Sequence, residues 1–139
     1  MDDDGLAELF WAVSRQLRHR TREALSPLDV TPSQSRALSV LTRHGTMRLS
    51  ELSEHLHIAA RSATEVVDDL QRRGLVVRLP DPADRRATLV ATTDAGAGAG
   101  QRIAAARRAE AARFFGALAA TDRADLARIL RTLAGDARP

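Results

Sequence analysis

The sequence predicts a mainly α fold carrying one small β-hairpin, and three observations predict it. Apolar residues recur at helical spacing, as Ala63, Val66, Val67 and Leu70 do at i, i+3, i+4 and i+7. Thr31-Pro32-Ser33-Gln34 reads as a helix start, with a Thr N-cap, Pro at the first helical position and Gln three residues after the cap. After Gly74 the pattern changes to two short runs rich in β-branched residues, 75–79 and 88–92, around a polar, turn-rich stretch at 80–87.

Each element follows from its residues. A first helix over 6–25 carries Leu6, Phe10, Val13, Leu17 and Ala24 on one stripe, with Pro27 just beyond its end. The second, over 31–43, buries Ala37, Leu38 and Leu41 and is closed by Gly45. Ser50 opens a short third helix over 50–56 with Leu52 and Leu56 inside. The fourth runs over 60–73 and stops at Gly74. Thr93 or Asp94 caps a fifth helix reaching about Leu118. Gly96, Gly98 and Gly100 weaken its start by ~1 kcal/mol each relative to Ala. Thr121 or Asp122 caps a sixth, with Leu126, Ile129, Leu130 and Leu133 on its apolar side. No internal repeat is visible.

Composition bounds the chemistry. A chain of 139 residues is one domain's worth and can bury a core unaided. It has 0 Cys, which excludes disulfides, thiolate metal sites and cysteine redox sensing. No apolar run approaches the ~18–20 residues that span a bilayer. The start, Met1-Asp2-Asp3-Asp4, lacks a basic and then apolar leader, so a cytoplasmic protein with no membrane partner is expected. All 21 cationic residues are Arg, and neither Lys nor Tyr occurs. The pI of about 11.0 therefore overstates a net charge of only +3. Residues 1–30 carry −2, 31–93 carry +2 and 94–139 carry +3. Charge alone is weak evidence for a nucleic-acid partner.

A helix-turn-helix followed by a hairpin has a specific physical use. The second helix of the pair enters the major groove and presents its N-terminal side chains to base edges. A basic hairpin tip reaches the neighbouring minor groove, where Arg reads width and negative potential. On the fourth helix, the face opposite the apolar one carries Arg61, Glu65, Asp68 and Arg72, flanked by Ser62 and Thr64. Arg61 suits bidentate contact with guanine, and Ser62 and Thr64 can bond to bases or phosphates. Glu65 repels phosphate and, if it faces DNA, should accept from a cytosine amino group. The plainer alternative is a solvated charged face, and the adjoining hairpin argues against it.

The stretch LSELSEHLHIAARSATEVVDDLQRRGLVVRLPDPADRRATLVATTDAG, from Leu49 to Gly96, closely resembles the winged helix-turn-helix of MarR-type bacterial transcriptional regulators. Its most specific part is DPADRR followed by the Thr-Asp-Ala-Gly helix start. LDVTPSQSRALSVL, from Leu28 to Leu41, resembles the family's second helix. The resemblance implies a winged helix-turn-helix over 31–93, flanked by an N-terminal dimerisation helix in 1–30 and C-terminal dimerisation helices in 94–139. It further implies a homodimer on a pseudo-palindromic double-stranded operator, acting as a repressor. A small aromatic carboxylate or phenol would release the DNA, and no cofactor is involved. By the same resemblance, Arg86 with Arg85 occupies the wing tip that enters the minor groove. Asp84 and Asp81 would orient those guanidinium groups. Arg61, Ser62 and Thr64 match recognition-helix contacts, and Ser50 matches a capping position where a phosphate contact is common. Two positions depart from the pattern. Ala59-Ala60 stands where many members have Ser before the recognition helix, so a cap is lost. Thr92 stands where the family has an apolar residue at the end of the wing.

Other chemistries fare worse. His19, His44, His55 and His57 have no Cys or clustered carboxylate beside them, and His55 and His57 do not share a helix face, so no metal site is expected. No Gly-rich nucleophile turn or phosphate loop is present, so an enzyme is not expected. On the first helix, Trp11, Arg15, Arg18 and Arg22 form a stripe opposite the apolar one. It reads either as a solvated or dimer-facing cationic stripe or as a pocket wall. In the second reading Trp11 stacks on an aromatic effector, Arg15 pairs with its carboxylate and His19 adds pH dependence. Three functions stay open: an effector-responsive DNA-binding dimer, a DNA-binding dimer without a ligand, and a helical interaction module that has lost DNA binding.

Overall fold

The structure is a computed structural model and describes residues 1–135. Residues 136–139, the end of the segment 94–139, lie outside the described residues. The order of elements is α1 (Asp3–Leu25), α2 (Pro32–His44), β1 (Met47–Arg48), α3 (Leu49–Leu56), α4 (Ala60–Arg72), β2 (Val76–Pro80), β3 (Thr88–Thr92), α5 (Asp94–Phe115) and α6 (Ala120–Leu133). A 3-10 turn at Ser26–Leu28 joins α1 to α2. The predicted fold class holds: a helical body with an antiparallel wing.

Several predicted signals work as expected. Thr31 accepts from the Gln34 N–H at 3.1 Å while the Gln34 side chain accepts from the Thr31 N–H at 3.2 Å. Gly45, at φ 81°, ends α2 with its N–H on the Leu41 carbonyl. Gly74, at φ 73°, ends α4 in the same left-handed region. Other boundaries move. Asp2 caps α1 by accepting from the Gly5 N–H at 2.9 Å, so the helix begins at Asp3 rather than Leu6. Strand β2 begins at Val76, because the Leu75 N–H donates back to the Leu70 carbonyl of α4 at 2.9 Å instead of joining the ladder. α6 starts at Ala120 behind Ala119, which offers no side-chain cap. Thr121 and Asp122 therefore lie inside its first turn, where Asp122 favours the helix dipole. β1 was not foreseen: two residues are too few to show an alternating pattern.

The sheet runs β1-β3-β2, with Met47 opposite Val90, and with Arg78 opposite Val90 and Thr92 opposite Val76 across the hairpin. Its inner face adds Val76 and Val90 to a core of Leu38, Leu52, Val67, Leu70 and Ile103, all fully buried. Each such side chain contributes ~1.5–3 kcal/mol by leaving water. The core thus welds α2, α3, α4, the wing and α5 into one body.

α5 crosses this body at very close range. A Cβ on Gly96 would lie 1.8 Å from the Leu75 carbonyl oxygen, and one on Gly100 would lie 2.2 Å from Thr42 Oγ1. Gly98 faces open space except for the flexible end of Arg102. Two of the three glycines that cost α5 helix propensity are therefore required by packing. Further along, Glu110 is buried on α5, and its carboxylate accepts from Arg20 Nε of α1 at 2.7 Å and from Arg113 Nη2 at 2.7 Å. The Arg20 guanidinium also lies over the Phe114 ring. Arg113 first, then Arg20, hold the Glu110 carboxyl below its ordinary range, against burial, which pushes it up.

The stripe on α1 is not covered within one chain. Leu6, Leu9, Phe10 and Val13 are each about half exposed, and α6 buries no residue, with Leu133 at 73% exposure.

Urea denaturation of alanine variants tests the crossing. Gly98→Ala should stabilise the protein by about 0.5–1 kcal/mol. Gly96→Ala and Gly100→Ala should each destabilise it by roughly 1–3 kcal/mol through overpacking. Glu110 predicts an acid-sensitive term. Its folded pKa is depressed, so its stabilisation is complete above the unfolded value of ~4.3 and is lost as pH falls through the folded one. Glu110→Gln should be less stable than the parent at about pH 7, and the gap should narrow at about pH 3.

Candidate nucleic-acid interface

The helix-turn-helix is α3, a three-residue turn at 57–59, and α4. His57 makes the turn at φ 53°, in the left-handed region, with its N–H on the Glu54 carbonyl. Ala59 is the residue before α4 and offers no side-chain cap, so the cap lost by sequence stays lost. Arg61, Ser62 and Glu65 project from the first turns of α4 and are exposed. Neither Arg61 nor Glu65 has an ion-pair partner among the described residues. Thr64 is half-buried, and its hydroxyl donates to the Ala60 carbonyl at 3.0 Å. Ser50 is exposed but is not a cap. α3 begins one residue earlier, and Glu51 accepts from the N–H of Arg48, the true N-cap, at 3.3 Å.

Three arginines hold the helix-turn-helix in place, one acting on α3 and two on α4. Arg36 of α2 donates to the carbonyl of Leu56, the last residue of α3, at 2.5 Å. Arg73, just past α4, donates to Gln34 Oε1 at 2.9 Å, locking the helix to the capping box of α2. Arg78 of β2 pairs with Asp68 at 2.6 Å and also bonds Gln71. Arg72 pairs with Asp69. The acids on the C-terminal half of α4 are thus neutralised, which removes their repulsion of a phosphate backbone. The only signal for these pairs in the sequence was opposite charge, and many pairings satisfy that.

At the wing tip the two aspartates divide their tasks. Asp84 accepts from the Arg86 backbone N–H at 3.0 Å, and its carboxylate lies 3.5 Å from Arg86 Nε. Asp81 does not face Arg85 or Arg86. Being buried, it takes the nearest donors on the inner side: the Ala83 N–H at 2.8 Å and Arg48 Nε at 2.7 Å. The Ala83 bond first, and then Arg48, keep its carboxyl below the ordinary range, against burial. Asp81 therefore anchors the wing to the start of α3. Arg85 and Arg86 are exposed, and the Arg86 side chain is 94% accessible. Thr92 pairs with Val76 and closes the hairpin without the apolar residue expected there.

The stripe on α1 divides. Arg18 and Arg22 line a cavity of about 540 Å³ between α1, the start of α2 and α5, together with Leu17, Leu25, Val30, Arg36 and Arg107. Trp11, Arg15 and His19 do not line it. Trp11 is 59% exposed, and His19 sits 3.6 Å from Glu23 on the outer face of α1. Among the described residues no cluster of His, Asp or Glu could hold a metal ion, and no helix is long and apolar enough to cross a membrane.

Comparison with known proteins agrees with this geometry. The sequence profile described as MarR family matches residues 30–88. The chain is 28% identical over 123 residues to the HTH-type transcriptional repressor MdtR of Bacillus subtilis, covering 88% of this chain and 79% of that protein. It is 34% identical over 92 residues to the multiple antibiotic resistance protein MarR of Escherichia coli, covering 66% of this chain and 64% of that protein. Its backbone superposes on a mutant E. coli MarR complexed with operator DNA with a TM-score of 0.80, at 28% identity and 93% coverage of both chains. Together these likenesses support a MarR-type winged helix-turn-helix transcriptional regulator.

The anchoring role of Asp81 has a direct test. Asp81→Ala should leave the circular dichroism spectrum unchanged while amide exchange at 83–87 accelerates roughly tenfold or more, the scale of one lost charge-assisted bond.

Proposed function

We propose that the protein is a homodimeric, sequence-specific repressor that binds double-stranded DNA and lets go when a small aromatic acid binds. The observation that carries this reading is the placement of Arg61 and Arg86. Both are exposed, and they stand on two elements that Arg78 ties to each other through Asp68. Arg61 with Ser62, Thr64 and Glu65 would read a major groove, while Arg85 and Arg86 enter the minor groove beside it. Ser50, exposed at the start of α3, would meet a phosphate.

Dimerisation is supported by uncovered apolar surface at both ends of the chain. Half-exposed Phe10 and Val13 on α1, and Ile129 and Leu133 on α6, need a partner, and a second copy supplies the same surfaces. The segments 1–30 and 94–139 would form this interface, leaving 31–93 to the DNA. Two recognition helices would then be set about one turn of duplex apart, ~34–36 Å. An acid seated between α1 and the DNA-binding part would alter that spacing. In this reading Arg18 and Arg22 meet the ligand from the cavity wall, and Trp11, Arg15 and His19 are left to the outer face of α1 or to the partner.

Selection of binding duplexes from a random pool, followed by mobility-shift titration, tests the reading. Wild-type affinity should fall steeply with salt as phosphate counterions are released. Arg86→Ala should weaken binding at least tenfold with unchanged thermal stability. Arg61→Ala should cost about 1–3 kcal/mol and relax preference at one base pair per half-site. Light scattering should find a dimer. Failure to enrich any sequence, or a stable monomer, would overturn the reading.

A further inference from the structure

A second cavity, of about 770 Å³, lies between α2, the end of α3 and α5. Its walls include Arg36, Arg43, Arg107 and Arg108, with His44 and His55 stacked at 4.5 Å between ring centroids. It adjoins the cavity beside α1: Arg36, Arg107 and Ala111 belong to both linings. Together the two linings hold six arginines and no Asp or Glu. The whole chain has 21 Arg against 18 acids, so this is a local segregation of charge and not a reflection of composition.

No carboxylate among the described residues balances it. Arg18, Arg22, Arg43, Arg107 and Arg108 have no carboxylate partner among the described residues. Glu110, the nearest acid along α5, is committed to Arg20 and Arg113. Arg36 places one Nη2 bond on the Leu56 carbonyl and keeps its remaining N–H groups. All six arginines are exposed, so they form an open positive wall, and guanidinium groups bind carboxylate and phosphate through paired N–H donors.

We propose that the two adjoining cavities form one site for a small polyanion, a ligand with at least two carboxylate or phosphate groups, shared across Arg36 and Arg107. A ligand with one acidic group satisfies one side of this partition and leaves the other uncompensated. The proposal rests on the regulatory reading only for its link to DNA release. The acidic start of a second copy is the other candidate occupant. It is disfavoured because Asp2 already caps α1, and Asp3 and Asp4 already lie in its first turn, complementing the helix dipole.

The test uses the full-length protein at constant ionic strength. Calorimetry compares benzoate, isophthalate and trimesate, which carry one, two and three carboxylates on the same ring. Inorganic pyrophosphate is the phosphate arm. Affinity should rise at least tenfold from benzoate to trimesate, and whichever of trimesate and pyrophosphate binds tighter identifies the preferred acid group. Arg107→Gln and Arg43→Gln should each weaken that ligand at least tenfold without lowering thermal stability. Equal affinity along the series, no binding of either polyanion, or binding indifferent to both substitutions would overturn the site. Binding that appears only when Asp3 and Asp4 are replaced by Asn would give the site to the second copy instead. Because calorimetry needs no DNA, a positive result stands even if no duplex is enriched. Polyanion binding that leaves affinity for an enriched duplex unchanged would overturn only the release step.

Discussion

The structure depends on how closely α5 can approach the winged body. Gly96 brings the start of α5 against the Leu75 carbonyl, and Gly100 brings its next turn against Thr42 of α2. With those contacts made, Thr93 caps the helix and its hydroxyl bonds the Gly74 carbonyl at 2.6 Å, so the end of α4, the end of the wing and the start of α5 share one junction. Ile103 then reaches the core and Glu110 reaches Arg20 of α1. A side chain at either glycine would push α5 outward and move every contact beyond it.

Charge is distributed in three ways, each with its own consequence. Buried Asp81, held by the Ala83 N–H and Arg48, joins wing to α3, and buried Glu110, held by Arg20 and Arg113, joins α5 to α1. Exposed pairs such as Arg78 with Asp68 align surfaces and hide negative charge where DNA would approach. Other arginines gather in two places, the start of α4 and the wing tip with Arg61, Arg85 and Arg86, and the walls of the adjoining cavities. A net charge of +3 therefore conceals two concentrated positive fields.

The exposure of the residues proposed to face DNA was legible in the chain because local rules govern it. Arg61 and Ser62 follow from the phase of the apolar stripe on α4, and Arg86 follows from its place in a polar turn. The same rules misjudged Asp81. Its neighbours in sequence are Arg85 and Arg86, but the hairpin turns its carboxylate inward to Arg48, 33 residues earlier. Ser50 failed as a cap for a related reason: β1 pairs with β3 and brings α3 to its start one residue sooner. On α1, phase placed Trp11, Arg15, Arg18 and Arg22 on one stripe, yet only the last two lie deep enough along α5 to line a cavity.

The sequence by itself determined the helices, most of their caps, the hairpin and which residues at the start of α4 and the wing tip are exposed. Periodicity and capping act over a few residues, where spacing along the chain equals spacing in the fold. Only the tertiary structure decided the partners of the arginines, the need for Gly96 and Gly100, and the charged cavities around Arg36 and Arg107. These depend on distances between segments tens of residues apart. With 21 arginines and 18 acids, opposite charge alone allows too many pairings for the chain to reveal which ones packing selects.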